Sequence, residues 1–148
     1  MKSYDLKYYD LSNAFQRFTD LKCADLSHLD LRNFDLSHAF LYYVDLRFSD
    51  LRNSNLKGAN LHGANLEGAN LEGANLEGAD LKFAYMQNAN LTSANLTNTD
   101  LRHAYLETGD FNMHPDLDEL KQRGCLLYLE DKIKFKNYYE YNKIFKKW

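Results

Sequence analysis

The sequence predicts an all-β solenoid of roughly square coils, followed by a short, mainly helical closing segment. Three observations predict it. Leu, with few exceptions, stands at every fifth residue from Leu6 to Leu106, so that the chain up to Met113 divides into 22 pentapeptides, 19 of them centred on Leu. The residue before the centre is Asp in eleven repeats and Asn in seven, and the residue two before it is Ala in twelve. The period then stops at His114-Pro115, the only proline in the chain. Periodicity of this kind overrides helix or strand preferences read in short windows.

The period explains the fold. Five matches neither 3.6 nor 2, so neither one amphipathic helix nor one flat strand buries the Leu set. If each pentapeptide forms a short extended side and a turn, four of them close one coil. Equivalent sides then pair one coil apart, at a strand spacing of ~4.8 Å. Leu6, Leu26, Leu46 and Leu66 stack as one interior ladder, and Leu11, Leu31, Leu51 and Leu71 as the next. The small residue two before the centre also points inward, where four large centres leave room for little more than a methyl group. Twenty-two repeats give about five and a half coils, a rod on the order of 25 Å long.

Departures from the pattern fall in order along the chain. Tyr4 and Tyr9 take the inward small position at the start, where rings would plug an open end. Gln16 is the one polar centre, and buried it requires a partner, because an unpaired polar group costs ~1–3 kcal/mol. Leu29, Phe34 and Val44 are bulky at the inward small position, so the tube must widen or distort there. Gly58, Gly63, Gly68, Gly73 and Gly78 each occupy the turn of a repeat, and turn chemistry accounts for them.

The pattern A(D/N)LXX, cleanest from Ala59-Asn60-Leu61 to Ala79-Asp80-Leu81, resembles that of the pentapeptide-repeat family. That resemblance covers residues 1–113 and implies a right-handed quadrilateral β-helix.

Residues 114–148 form a separate closing segment. Pro115 with Asp116, Asp118 and Glu119, then Lys121, Arg123 and Gly124, reads as a short helix with acids first, bases last and glycine at its end. Cys125 to Leu129 is an apolar run, helix or strand undecided. Tyr138, Tyr141, Phe145 and Trp148 fall on one face of a second helix. The segment is expected to lid the last coil, and those aromatic residues are candidates for joining two copies as a homodimer.

The function classes narrow by elimination. A chain of 148 residues is one domain's worth, and no run approaches the ~18 apolar residues of a membrane span. The opening residues lack the apolar run of a secretory signal, which makes the cytoplasm the expected compartment. Cys23 and Cys125 form no CxxC pair and are expected to be reduced thiols. Net charge is −3, with the repeats at −5 and the tail at +2. Direct nucleic-acid binding, which needs clustered Lys and Arg, is not expected. No spacing suited to a metal, a cofactor or a catalytic constellation exists, so no enzyme is expected.

Two surface features remain. Tyr8, His28 and Phe48, one predicted coil apart, form an outward ladder along one corner, with Phe18, Tyr42 and Tyr43 on nearby sides. These rings gather in the N-terminal half and either stabilise neighbouring coils or bind a protein. Asp5, Asp25 and Asp45 on one side, with Asp10, Asp30 and Asp50 on the next, form rows of carboxylates. The family resemblance gives these rows a meaning, since some members are dimeric acidic rods that mimic DNA towards type II topoisomerases. Arg32, Arg47 and Arg52 follow the rows closely and counter that field. The leading expectation is a non-enzymatic scaffold for protein–protein interaction, and the alternative is DNA-mimic modulation of DNA gyrase.

Overall fold

The structure, a computed structural model, describes residues 21–106 and 117–126. From Leu21 onward each pentapeptide is one side of a coil. Residues four repeats apart pair in parallel through single bridges, as in Asp25–Asp45, Asn65–Tyr85 and Tyr85–Tyr105. The first side is centred on Leu41, Leu61 and Leu81, the second on Leu46, Leu66 and Met86. The third is centred on Leu51, Leu71 and Leu91, the fourth on Leu56, Leu76 and Leu96. All these centres are buried, as are the alanines two before them from Ala59 to Ala94. The interior is therefore a filled tube.

Each residue type has its place because every N–H in a repeat must find an acceptor. In the repeat Ala64–Gly68, Ala64 N–H closes the preceding turn on Leu61 O at 2.9 Å, and Asn65 N–H reaches Val44 O at 2.8 Å. Leu66 N–H and Gly68 N–H donate the other way, to Tyr85 O at 2.7 Å and Gln87 O at 2.8 Å. The fifth, Glu67 N–H, donates to the Asn65 side chain, Oδ1, at 3.1 Å. Asp or Asn before the centre thus supplies an acceptor that the backbone ladder lacks, an Asx turn. The same bond recurs at Asp25, Asp50, Asn75 and Asp100.

The corner residue two after the centre has positive φ at every described repeat, from Cys23 at 55° to His103 at 62°. A positive φ at the third turn residue marks a type II turn and favours Gly or Asn. Here the position also holds His28, Tyr43, Phe48 and Phe83, so bulky residues take a conformation that suits them poorly.

The bulky inward residues are handled in two ways. Val44 is buried outright, whereas Leu29 and Phe34 are only partly buried against the core. The tube takes a valine, and the two larger side chains are not sealed inside it. Among the described residues the buried Ser54 hydroxyl has no hydrogen-bond partner, whereas the Ser49 hydroxyl donates to Leu46 O at 2.7 Å. Tyr4, Tyr9 and Gln16 lie outside the described residues.

Beyond the repeats, helix α1 spans Leu117–Gln122 and buries Leu120. Gly124 has φ 78°, Gly124 N–H donates to Lys121 O, and Cys125 N–H donates to Leu120 O. That is the left-handed glycine stop expected for the first tail helix. Leu126 then pairs in parallel with Asp100, where the next coil would begin. Arg123 donates to Ala94 O, and the Cys125 thiol reaches Leu96 O at 3.3 Å. The start of the apolar run is therefore paired like a strand. The aromatic helix face of Tyr138, Tyr141, Phe145 and Trp148 lies outside the described residues.

Candidate functional site

Where the carboxylate rows are described they stack coil upon coil, and Asp30, Asp45 and Asp50 are each held by an arginine. Asp25 pairs with Asp45, and Asp30 with Asp50, one coil apart. Arg32, Arg47 and Arg52 fold back on Asp30, Asp45 and Asp50 at 2.5, 2.6 and 2.6 Å. Each guanidinium sits two residues after its carboxylate, on the outward position beyond the centre, so the repeat itself sets the pairing. The Arg32 side chain holds Asp30 at about 2 against an ordinary 3.8. Arg47 and Arg52 lower Asp45 and Asp50 in the same way. At Asp100 burial pushes upward, and the bonds from Arg102 outweigh it. Asp5 and Asp10 lie outside the described residues.

These lowered values carry a sign. A carboxylate with a folded-state pKa below its unfolded one stabilises the fold above the ordinary carboxylate range. That contribution is lost as pH falls through the folded-state value. The melting temperature is therefore expected to stay level from about pH 7 to 5 and to fall between about pH 4 and 2. A thermal melt series across that range checks it, and a fall centred near pH 6 would show that these carboxylates are not its source.

The aromatic residues extend beyond the group that the sequence singled out. His28 and Phe48 do stack, with centroids 5.3 Å apart and planes at 21°. Tyr42 meets Tyr43 edge-on at 6.1 Å, with the Lys22 ammonium 5.9 Å from the Tyr42 ring. Tyr8 and Phe18 lie outside the described residues. The exposed rings, however, are not confined to the N-terminal half. Tyr43 is 59% exposed and Phe48 54%, and Phe83, Tyr85 and Tyr105 follow at 44%, 46% and 42%.

The rings form a connected system along the corner between the first and second sides. Tyr43 meets His62 at 5.8 Å, His62 meets Phe83 at 5.4 Å, and Phe83 stacks on His103 at 4.8 Å. Alongside it, Tyr85 stacks on Tyr105 at 4.8 Å with planes 7° apart. Only the inward Ala84 and Ala104 separate the two stacks in sequence. Tyr85 and Tyr105 continue the row of Asp25, Asp45 and Asn65, so that row turns from polar to aromatic as it climbs. The signal for this half was in the sequence, because Phe83 shares a column with His103, and Tyr85 with Tyr105, at a spacing of four repeats.

The glycines also do more than turn the chain. A Cβ on Gly68 would stand 2.5 Å from the Phe48 ring, on Gly63 2.5 Å from Tyr43, and on Gly58 2.6 Å from His38. Each ring lies over the glycine one coil above it. At Gly58, Gly63 and Gly68 the turn is thus only part of the reason for glycine, whereas at Gly78 turn chemistry alone accounts for it.

Among the described residues no group of three or more His, Cys, Asp or Glu is placed to hold a metal ion. None of the described helices is long and apolar enough to cross a membrane. Burial raises the Cys125 thiol to about 11, which leaves it protonated at neutral pH.

A family model for pentapeptide repeats matches eight copies over residues 5–37, 39–78 and 74–112. The chain belongs to the pentapeptide-repeat family. Members fold as right-handed quadrilateral β-helices, and the four-sided coil described above is that architecture. Among solved structures, this pentapeptide-repeat chain is similar to the protein Rfr23 of the cyanobacterium Cyanothece 51142. The two are 42% identical over 58% of this chain and 59% of that one, with a TM-score of 0.55. The match thus spans about three fifths of the relative's length. A pentapeptide-repeat protein of the Arabidopsis thaliana thylakoid lumen is 36% identical over 62% of this chain and 72% of its own, at a TM-score of 0.53. The plasmid-mediated fluoroquinolone resistance protein QnrB1 aligns over 82% of this chain and 91% of its own at 18% identity. The TM-score of that alignment is 0.41. A search of curated proteins gave no match.

Proposed function

We propose that this pentapeptide-repeat rod is a non-enzymatic scaffold that binds a protein partner through its aromatic corner. The observation that carries the reading is the chain of rings from Tyr43 through His62 to Phe83 and His103, flanked by Tyr85 and Tyr105. These rings touch one another, edge-on or tilted at His62 and stacked at Phe83–His103 and Tyr85–Tyr105, yet the larger ones remain about half exposed. Stacking alone accounts for neighbouring rings along a column, as cross-strand pairs do. It does not require two stacks side by side at one corner, and exposed apolar area gathered in one place is what a partner covers. The segment 114–148 serves in this reading as the lid of the last coil.

DNA mimicry towards a topoisomerase is less well supported. It needs an unopposed field, and Asp30, Asp45 and Asp50 are each paired with the arginine two positions further on.

The test replaces Tyr43, Phe83, Tyr85 and Tyr105 together with Asn, a residue that the chain already uses at both types of position, as at Asn53 and Asn65. The variant is expected to keep the fold and to lose proteins retained by the wild type at high salt, where surface charge is screened. Unchanged retention would sink the aromatic corner as the contact. Retention that vanishes with salt in the wild type would favour the carboxylate rows.

A further inference from the structure

We infer that the fourth side of the rod is a self-complementary face on which a second copy of this chain docks antiparallel. From lower coil to upper, the position after the centre carries Ser37, Lys57, Glu77 and Thr97. The row before the centre carries Asp35, Asn55, Asn75 and Asn95, and the corner carries His38, Gly58, Gly78 and Asn98. A two-fold axis lying across this side, midway between Lys57 and Glu77, reverses the coil order and leaves each column facing itself. Lys57 then faces Glu77 of the second copy, and Glu77 faces Lys57. The ion pair of 3.0 Å within each chain becomes a quartet of alternating charge. In the same register Ser37 faces Thr97, Asn55 faces Asn75, and the Asn95 amide faces the Asp35 carboxylate. This is the isologous pairing that a two-fold interface requires.

Shape singles out this side. The His38 ring lies over Gly58, since a Cβ there would meet it at 2.6 Å, and among the described residues nothing stands within 4 Å of the corresponding point on Gly78. The hollow arises because Gly58 and Gly78 follow one another in the same column. On the other three corners a glycine follows Tyr43, Phe48 or Asn53, whose side chain covers it. The two-fold axis places the ring over Gly58 against the hollow at Gly78 of the second copy, and the reverse.

Charge agrees with shape. The second and third sides also carry Arg below Glu, at Arg47 and Glu67 and at Arg52 and Glu72. Those arginines are forked onto Asp45 and Asp50 of their own repeats. Lys57 has Asn55 in that place, and its ion pair is with Glu77 of the coil above. Four coils at ~4.8 Å make a face on the order of 20 Å long, and one pentapeptide at ~3.3 Å per residue is at most about 17 Å wide, so the face covers at most about 340 Å², well under the ~800 Å² per partner of a durable complex. The association is therefore weak and belongs to high concentration or to local enrichment.

The test is sedimentation equilibrium on the full chain at low salt, up to about 1 mM, the range in which weak pairing is read. The wild type is expected to dimerise, and added salt to weaken the dimer. Lys57→Glu and Glu77→Lys are each expected to stay monomeric, because each opposes like charges across the axis. Their equimolar mixture is expected to regain a dimer containing one of each, which a contact within one chain does not produce. Gly78→Asn, compatible with the positive φ at that corner, fills the hollow and is expected to weaken dimerisation at least about tenfold. Thermal melts confirm that the variants fold. A wild type that stays monomeric overturns the inference, as does a mixture no tighter than its components. A dimer indifferent to all three substitutions also overturns it and places the contact elsewhere.

Discussion

Leu66→Ala is expected to lower stability by about 3–4 kcal/mol. Leu66 is fully buried, and Leu46 lies below it and Met86 above it on the same side. Truncation loses the transfer of the side chain out of water and leaves a void that the rod is poorly placed to close. The backbone on either side is pinned by Leu66 N–H to Tyr85 O at 2.7 Å and Leu46 N–H to Asn65 O at 2.7 Å. Collapse would have to break this ladder. Leu29→Ala provides the comparison, since Leu29 is only partly buried and is expected to cost about 1 kcal/mol. Urea midpoints with unchanged slopes check both. Equal losses at the two positions would mean that the interior relaxes freely and is not a rigidly filled tube.

Gly68→Ala is expected to cost about 2–3 kcal/mol, whereas Gly78→Ala costs about 1–2 kcal/mol. Both glycines have nearly the same backbone, φ 65° and 66°, so both substitutions bear the left-handed penalty of a Cβ. They differ in what the Cβ meets. At Gly68 it would stand 2.5 Å from Phe48, and at Gly78 it meets none of the described residues within 4 Å. The Phe48 ring must swing away and give up its stack on His28, 5.3 Å distant. The two effects separate in a double-mutant cycle. In a Phe48→Ala background, Gly68→Ala should cost no more than Gly78→Ala. If the excess survives there, the ring is not its source.

The coil itself was readable from residue spacing. Leu at every fifth position can be buried only by a coil, and the constant Asp or Asn before it is the side-chain acceptor of a turn N–H. In the tail, Gly124 was readable as the stop of the first helix, because a left-handed residue after the last turn favours glycine, while Pro115 and Asp116 lie outside the described residues. Spacing was less informative about relations between coils. Tyr85 and Tyr105 stand where most repeats have Asp or Asn, and only alignment coil upon coil shows that they stack. The second role of Gly68 depends on Phe48, one whole coil earlier, so no local window reveals it. Leu126 pairs with Asp100 at a separation that is no multiple of the repeat, because the segment that carries it is no longer periodic. Leu29 and Phe34 were legible as misfits, but their outcome depends on how far the tube yields.

A coil of four equal sides gives length a geometric meaning. Removing one complete coil from such a rod shortens it and leaves every surviving column in line. Removing a single repeat turns everything above the cut by a quarter revolution about the long axis. Such a deletion between Tyr43 and Phe83 would carry Phe83 and Tyr85 to a different azimuth from Tyr43, with scarcely any change in the interior. Lineages of such rods can therefore dial the angle between two surface groups in quarter-turn steps by gaining or losing single repeats, while the core is left almost as it was.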